Sequence, residues 1–251
     1  MHRLSKLFSK KTVAASLFLS AALFAHAQTE TRSFFIMGHD PIELKREVTL
    51  DTIQTFDQQG HLLSTVCKNG GIDQFYKYDK NGNLIEHTAQ DFVQKYTYDK
   101  KGKRIKYSNS EGETQVYNYD KNGRLLNIKS SDGTVYGYIY DEKGRLFETN
   151  EGDGDTFVYR EWYFYDENDR MTSKEVSDGV SEFYTYDREG NIVETNYSDG
   201  SVTKAWYGGD GSVVYRVTRV YDCETEEFFI YERYDDGTIK TIKKYICQIY
   251  G

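Results

Sequence analysis

The sequence predicts an all-β protein, an antiparallel meander of about 17 short strands built from repeats of about 21 residues and curled into an open spiral or barrel-like sheet. Three observations carry that prediction. A Tyr-Asp-x-x-Gly segment recurs at a fixed period, a second ladder of glycines falls midway between those segments, and the residues leading into each segment alternate tyrosine with other side chains.

The turns set the frame. Tyr78-Asp79-Lys80-Asn81-Gly82 is followed by Tyr98-Asp99-Lys100-Lys101-Gly102, Tyr119-Asp120-Lys121-Asn122-Gly123, Tyr140-Asp141-Glu142-Lys143-Gly144 and Tyr186-Asp187-Arg188-Glu189-Gly190. Aspartate at the head of such a turn accepts a hydrogen bond from the backbone two residues on, and glycine supplies the left-handed residue that ends a type I turn with a bulge. Asp79, Gly82, Asp99, Gly102, Asp120, Gly123, Asp141, Gly144, Asp187 and Gly190 are therefore read as turn-forming. Tyr165-Asp166-Glu167-Asn168-Asp169 keeps Asp166 but sets Asp169 where glycine is expected. Aspartate is among the few residues that tolerate positive φ, so the turn survives.

The second ladder, Gly112, Gly133, Gly154, Gly179 and Gly200, closes turns such as Ser131-Asp132-Gly133 and Ser198-Asp199-Gly200, while Gly211 resumes the first series. Two turns per repeat leave room for strands of about 5–8 residues. The strand before each Tyr-Asp turn carries two aromatics at a spacing of two, as in Tyr117/Tyr119, Tyr138/Tyr140 and Tyr184/Tyr186, which places both on one face. The strand after it opens with aliphatics, for example Leu84-Ile85 and Leu125-Leu126. Stacked repeats then form rows of tyrosine whose cross-strand pairs each stabilise the sheet by roughly 0.2–1 kcal/mol. Open twisted sheets seldom exceed about 10 strands, so this one is expected to coil.

Around the array the chain divides into four segments. Residues 1–27 combine a basic stretch (Arg3, Lys6, Lys10, Lys11), an apolar run from Thr12 to Phe24 and Ala25-His26-Ala27. They read as a secretory signal peptide cleaved after Ala27, which predicts a secreted, periplasmic or cell-surface protein with no membrane span after cleavage. Residues 28–55 form a capping segment containing Phe34-Phe35-Ile36-Met37, 56–211 form the repeat array, and 212–251 form a degenerate terminal repeat and C-terminal cap with longer strands. The whole chain carries a net charge of −8; without the four basic residues of the signal it holds 28 basic and 40 acidic residues, net −12. That balance argues against nucleic acid and anionic lipid as partners.

The repeat resembles that of the Rhs/YD-repeat family of bacterial secreted and cell-surface proteins, over residues from about Phe56 to Gly237. Tyr119-Asp120-Lys121-Asn122-Gly123-Arg124-Leu125 and Tyr140-Asp141-Glu142-Lys143-Gly144-Arg145-Leu146 carry the family's core pattern unaltered. The resemblance implies a β-sheet wound into a curved shell, with roles in cell-surface contact, carbohydrate binding or enclosing a toxin.

Among candidate functional residues the aromatics lead. Tyr117, Tyr119, Tyr138, Tyr140, Trp162 and Trp206 are candidates for stacking on sugar rings, against the alternative that tyrosine rows are packing with a wet hydroxyl. Cys223 and Cys247 could pair as a disulfide, or all three cysteines could be separate thiols. The acidic segment Asn150-Glu151-Gly152-Asp153-Gly154-Asp155 lacks the spacing of a calcium loop and reads as solvated. No catalytic or metal-binding motif emerges, and no cofactor is expected. The leading expectation is an exported, non-enzymatic binding surface for a glycan or a cell-surface protein. The alternative is a structural component of the cell envelope, or a shell fragment without a ligand of its own.

Overall fold

The computed structural model describes residues 29–36 and 42–250. The signal segment and its cleavage site lie outside the described residues, as does Met37 of the capping segment. Among the described residues there is no helix, and nineteen antiparallel strands form one sheet.

The strands are β1 (Thr29–Ile36), β2 (Ile42–Phe56), β3 (Leu62–Cys67), β4 (Gln74–Tyr78), β5 (Leu84–Ala89) and β6 (Phe92–Tyr98). There follow β7 (Arg104–Asn109), β8 (Thr114–Tyr119), β9 (Leu125–Ser130), β10 (Val135–Tyr140), β11 (Leu146–Gly152) and β12 (Phe157–Tyr165). The last seven are β13 (Met171–Val176), β14 (Glu182–Tyr186), β15 (Ile192–Tyr197), β16 (Val202–Tyr207), β17 (Val213–Val220), β18 (Cys223–Arg233) and β19 (Ile239–Tyr250).

Each strand from β2 onward pairs with the next, and β19 returns to pair with β2 through Thr241↔Thr55 to Ile246↔Thr49. Eighteen strands therefore close into a barrel, and the expected coil ends as a ring. Closure leaves none of these strands a wholly unpaired edge. The nineteenth, β1, pairs with the first half of β2 from Thr29↔Thr49 to Ile36↔Ile42.

The turns are built as the sequence reading requires. Asp120 N–H donates to the Arg124 carbonyl and Gly123 N–H to the Asp120 carbonyl, while Asp120 Oδ1 accepts from the backbone N–H groups of Asn122 and Arg124. Gly123 has φ +87°, and Asp169, in glycine's place, has φ 61°. The second series starts one residue earlier than expected: Ser130 heads the turn that Gly133 closes, and Asp132 sits within it.

A second irregularity recurs in each repeat. Lys77 lies opposite Glu86 but Tyr78 lies opposite Leu84, so Ile85 is an extra residue. Ile105, Leu126 and Phe147 are extra at the same position in later repeats. A bulge bends its strand and increases local twist. Nine of them at one level, from Leu63 to Lys240, curve the wall steadily. The aliphatic pair after each turn is thus split: Leu84 and Leu125 share the face of the tyrosines, while Ile85 and Leu126 stand exposed on the other.

The tyrosines occupy one face and are half-buried, whereas the alternating residues between them, such as Phe75, Lys77, Ile139 and Phe164, are exposed. The main buried apolar cluster lies elsewhere. There the β1–β2 hairpin covers the opposite face of β17–β19, where Phe34 stacks on Phe228 at 4.0 Å between ring centroids beside Val48, Tyr215 and Tyr245. The capping segment is therefore a flap over the wall and, through the second half of β2, also a strand of the ring.

Candidate functional site

On the tyrosine face the second aromatic of each repeat is a latch. Its hydroxyl donates to a carbonyl at the start of the preceding strand: Tyr98 to Leu84 (2.7 Å), Tyr119 to Arg104 (2.7 Å), Tyr140 to Leu125 (3.0 Å), Tyr186 to Met171 (2.7 Å). Tyr234 makes the same kind of contact at the ring closure, reaching the Phe56 carbonyl at 2.8 Å. In five repeats the first aromatic joins a belt of side-chain hydrogen bonds, Tyr76 donating to Gln74, Tyr96 to Gln94, Tyr117 to Gln115, Tyr163 to Glu161 and Tyr184 to Glu182, and Tyr159 also donates to Glu161. Burial first, and then Glu161, pushes the Tyr159 hydroxyl up to about 12.

Basic residues that follow the turns lie over tyrosine rings. Arg124 sits 4.9 Å from the Tyr140 centroid and Lys103 sits 5.1 Å from that of Tyr119, a favourable cation–π arrangement. Of the six stacking candidates, Tyr117, Tyr119, Tyr138 and Tyr140 are thus half-buried within this face. Trp162 and Trp206 lie on the other face and do not join them. Trp162 donates its indole N–H to Glu148 at 3.1 Å and is taken up by local packing.

Trp206 is different. Its ring tilts against Tyr215 at 4.9 Å between centroids, at the rim of the apolar cluster under the hairpin. From there it forms the apolar wall of an open groove of about 520 Å³ across β15–β18, lined also by Glu194, Asn196, Lys204, Val217 and Arg219. The polar groups are held in pairs. Lys204 Nζ lies 3.1 Å from Glu194, Asn196 donates to Glu194 at 2.9 Å, and Arg219 Nη2 lies 2.6 Å from Glu224. Hydrogen bonds from Asn196 and then Lys204 hold the Glu194 carboxyl below the usual range. An aromatic wall beside paired carboxylates, cations and an amide can stack on a ring and exchange hydrogen bonds with hydroxyls.

Further polar groups belong to the wall itself. His61 Nδ1 lies 2.8 Å from Asp57, but this is the turn contact that Arg124 makes to Asp120 and Asn83 to Asp79. Asn150 is buried within β11, and Asp153 accepts backbone hydrogen bonds from Asp155 and Thr156. No group of three or more His, Cys, Asp or Glu residues able to hold a metal ion occurs among the described residues. The suggested Cys223–Cys247 bridge does not form. Cys223 lies opposite Tyr250 and Cys247 opposite Glu226, so the two are out of register by three residues and face opposite sides of the sheet.

One further device recurs that the turn pattern alone does not predict. Ser110, Ser131, Ser177 and Ser198 each accept from the backbone N–H seventeen residues earlier, tying the second turn of a repeat to the strand before it. The signal was the serine that begins Ser-Asp-Gly in three of these turns.

A family-model match agrees with this construction. Residues 119–157 match the family model RHS Repeat. The matched segment runs from one Tyr-Asp turn through the next and on to the start of β12. The TcdB2-TccC3-Cdc42 crystal structure is similar over 89% of this chain and 16% of its own, with 16% identity and a TM-score of 0.38. A porin-like protein from Bacteroides uniformis is similar over 80% of this chain and 98% of its own, with 9% identity and a TM-score of 0.45. No curated protein matches the chain. The RHS match and the repeat geometry together show that the wall is built from RHS-type repeats.

Proposed function

We propose that the mature chain is an exported, non-enzymatic RHS-repeat barrel that binds a glycan on the face opposite its tyrosine rows, in the groove beside Trp206. The observation that carries this reading is the groove itself. It is of the size of small-ligand sites and sets an indole beside Asn196 and the Lys204–Glu194 and Arg219–Glu224 pairs. The tyrosine rows contribute less than the sequence suggests, because the hydroxyls that would meet sugar are already donating within the wall. The reading places the protein outside the cell after cleavage at Ala27. Strands β3–β17 are 5–9 residues long, mostly shorter than the about 9–11 a membrane-crossing strand needs, and exposed Lys77, Lys95, Lys106 and Lys129 break the face opposite the tyrosines.

Screening the mature protein against a glycan array tests the proposal. Binding that weakens at least tenfold in both Asn196→Ala and Trp206→Phe, with unchanged circular dichroism, supports the groove. Binding indifferent to both substitutions moves the site elsewhere. Uniform silence favours the second reading, a structural envelope component, which the internally satisfied tyrosine face supports.

A further inference from the structure

The closure of the ring depends on a charged cluster on the tyrosine face where β2 meets β19. Asp51 is the extra residue at the β2–β19 bulge, and it is buried, 6% exposed. Lys244 of β19 sets its Nζ 2.6 Å from Asp51 Oδ2. The other Asp51 oxygen, Oδ1, accepts from the side-chain amide of Asn69, and the Asp51 carbonyl accepts from Lys68 N–H at 2.7 Å. Glu227 of β18 stands 3.4 Å from Lys244 Nζ and is paired on its far side with Arg216. The side chains of Asp51 and Glu227 are 8% and 12% exposed.

Each part of this cluster has a place in amide formation. A primary amine lies in contact with a carboxyl group. An amide donor holds the carboxyl oxygen on which negative charge would develop, the arrangement that stabilises an oxyanion. A second carboxylate is near enough to the amine to carry its proton. The reactants are fixed by three strands of a closed sheet, which gives them a very high effective concentration. In the paired state Lys244 keeps its proton: burial lowers its pKa, but Asp51 and then Glu227 raise it further. The first step is therefore transfer of a proton along the short Lys244–Asp51 hydrogen bond, giving a neutral amine and a neutral acid. Burial lowers the cost of that transfer.

We infer that Lys244 and Asp51 form an intramolecular isopeptide bond that seals the barrel, with Glu227 as proton carrier and Asn69 as the oxyanion donor. The bond formed is Lys244 Nζ to Asp51 Cγ, and the bond broken is Cγ to Oδ2. Of the three protons on the lysine ammonium, one stays on the amide nitrogen. The other two leave with Oδ2 as water, one of them by way of Glu227. Oδ1 becomes the amide oxygen and keeps its hydrogen bond from Asn69. Nothing is oxidised or reduced, and no co-reactant is needed.

The cross-link joins the first strand of the ring to its last. It covalently fixes the pairing on which closure depends, within an exported protein whose other cysteines and turns supply no covalent tie. It also explains why two carboxylates and two cations are gathered where a plain β seam requires none.

Intact-mass spectrometry of the purified mature protein tests the inference directly, because its readout does not depend on a ligand. A species lighter than the sequence mass by one water, together with a protease fragment in which the Asp51 and Lys244 peptides are joined, is the expected result. Asp51→Ala should restore the full sequence mass. Glu227→Gln should lower the cross-linked fraction at least tenfold in freshly folded protein. A native protein at its full sequence mass overturns the inference, as does a water loss that persists in Asp51→Ala.

Discussion

Replacing Glu226 by Gln tests how the N-terminal flap is held. Glu226 is 2% exposed on the face opposite the tyrosines. It accepts from Arg46 Nε at 2.5 Å and Arg46 Nη2 at 3.1 Å, and from the Tyr215 hydroxyl at 2.5 Å. Arg46 comes from β2 within the flap, and Glu226 and Tyr215 come from the wall beneath it. Removing one member of a buried pair costs about 3–5 kcal/mol when the other charge is left dry. Here the Arg46 side chain is 32% exposed and recovers part of its hydration. The glutamine also retains one acceptor oxygen for either Arg46 or Tyr215. The expected loss is therefore about 2–3 kcal/mol. For a domain of this size that corresponds to a fall in Tm of about 4–12 °C. Denaturant unfolding should show the same loss, and hydrogen exchange should localise early opening to β1 and the first half of β2. A double-mutant cycle with Arg46→Met should return a coupling of at least 1 kcal/mol, by the usual scale for groups in contact. A Tm within 1 °C of the parent, or coupling near zero, would refute the view that this pair fastens the flap.

The turns, the carboxylates and the thiols offer further checks. Gly123→Ala forces a side chain into φ +87° and should cost about 1–2 kcal/mol in denaturant titration, whereas Asp169→Gly at the corresponding turn should raise Tm or leave it unchanged. Acid titration followed by circular dichroism should show stability falling as pH drops below about 4. Asp79, Asp120 and Asp187 are held below their ordinary value of 3.8 first by the side chain four residues on, and Asp99 and Asp166 first by that residue's backbone N–H. A depressed folded pKa gives stability that is complete above the unfolded value and is lost as pH falls toward the folded one, so Asp120→Asn should flatten that slope. Thiol counting on unfolded, unreduced protein should find three free cysteines; a count of one would restore the bridge between Cys223 and Cys247. In the native state Cys67 and Cys247 should react slowly, since burial raises both thiols.

Turn positions and strand faces were legible because both are local. Asp120 and Gly123 specify a reversal by hydrogen bonds within five residues, and Tyr117 and Tyr119 share a face because strand side chains alternate. The longer pairing of Ser131 with Thr114 was not legible: a serine beside a turn has the same local chemistry whether or not a strand seventeen residues back supplies an N–H. The same limit hid the groove. Trp206, Asn196, Arg219 and Glu224 lie on four different strands, and nothing in their spacing says that they share a face. The cysteines show the reverse error. Twenty-four positions apart in a C-terminal hairpin, they suggest a pair, but a register offset of an odd number of residues puts them on opposite sides.

Closure itself follows from a feature the sequence displayed without its meaning. Leu84-Ile85 and Leu125-Leu126 look like two aliphatics entering a core, yet alternation forbids adjacent residues of a regular strand from sharing a face. Alternation sends Leu84 with the tyrosines and Ile85 outward, and the bulge sets the extra Ile85 on the outer side with Glu86, making one strand of each pair longer than its partner by a residue. A single such mismatch is a local kink. Repeated at the same level in nine hairpins it becomes a constant curvature, so a sheet of this length has to return toward its start. What decides ring over spiral is then whether the two ends can pair. The second half of β2 offers Thr49 to Thr55 to β19, Tyr234 reaches across to Phe56, and the excess of β2 turns away to carry the flap. A barrel made in this way is curved by its repeats but closed by its ends. Substitutions within one repeat should therefore weaken the wall locally, whereas substitutions at Asp51, Lys244 or Tyr234 should open it.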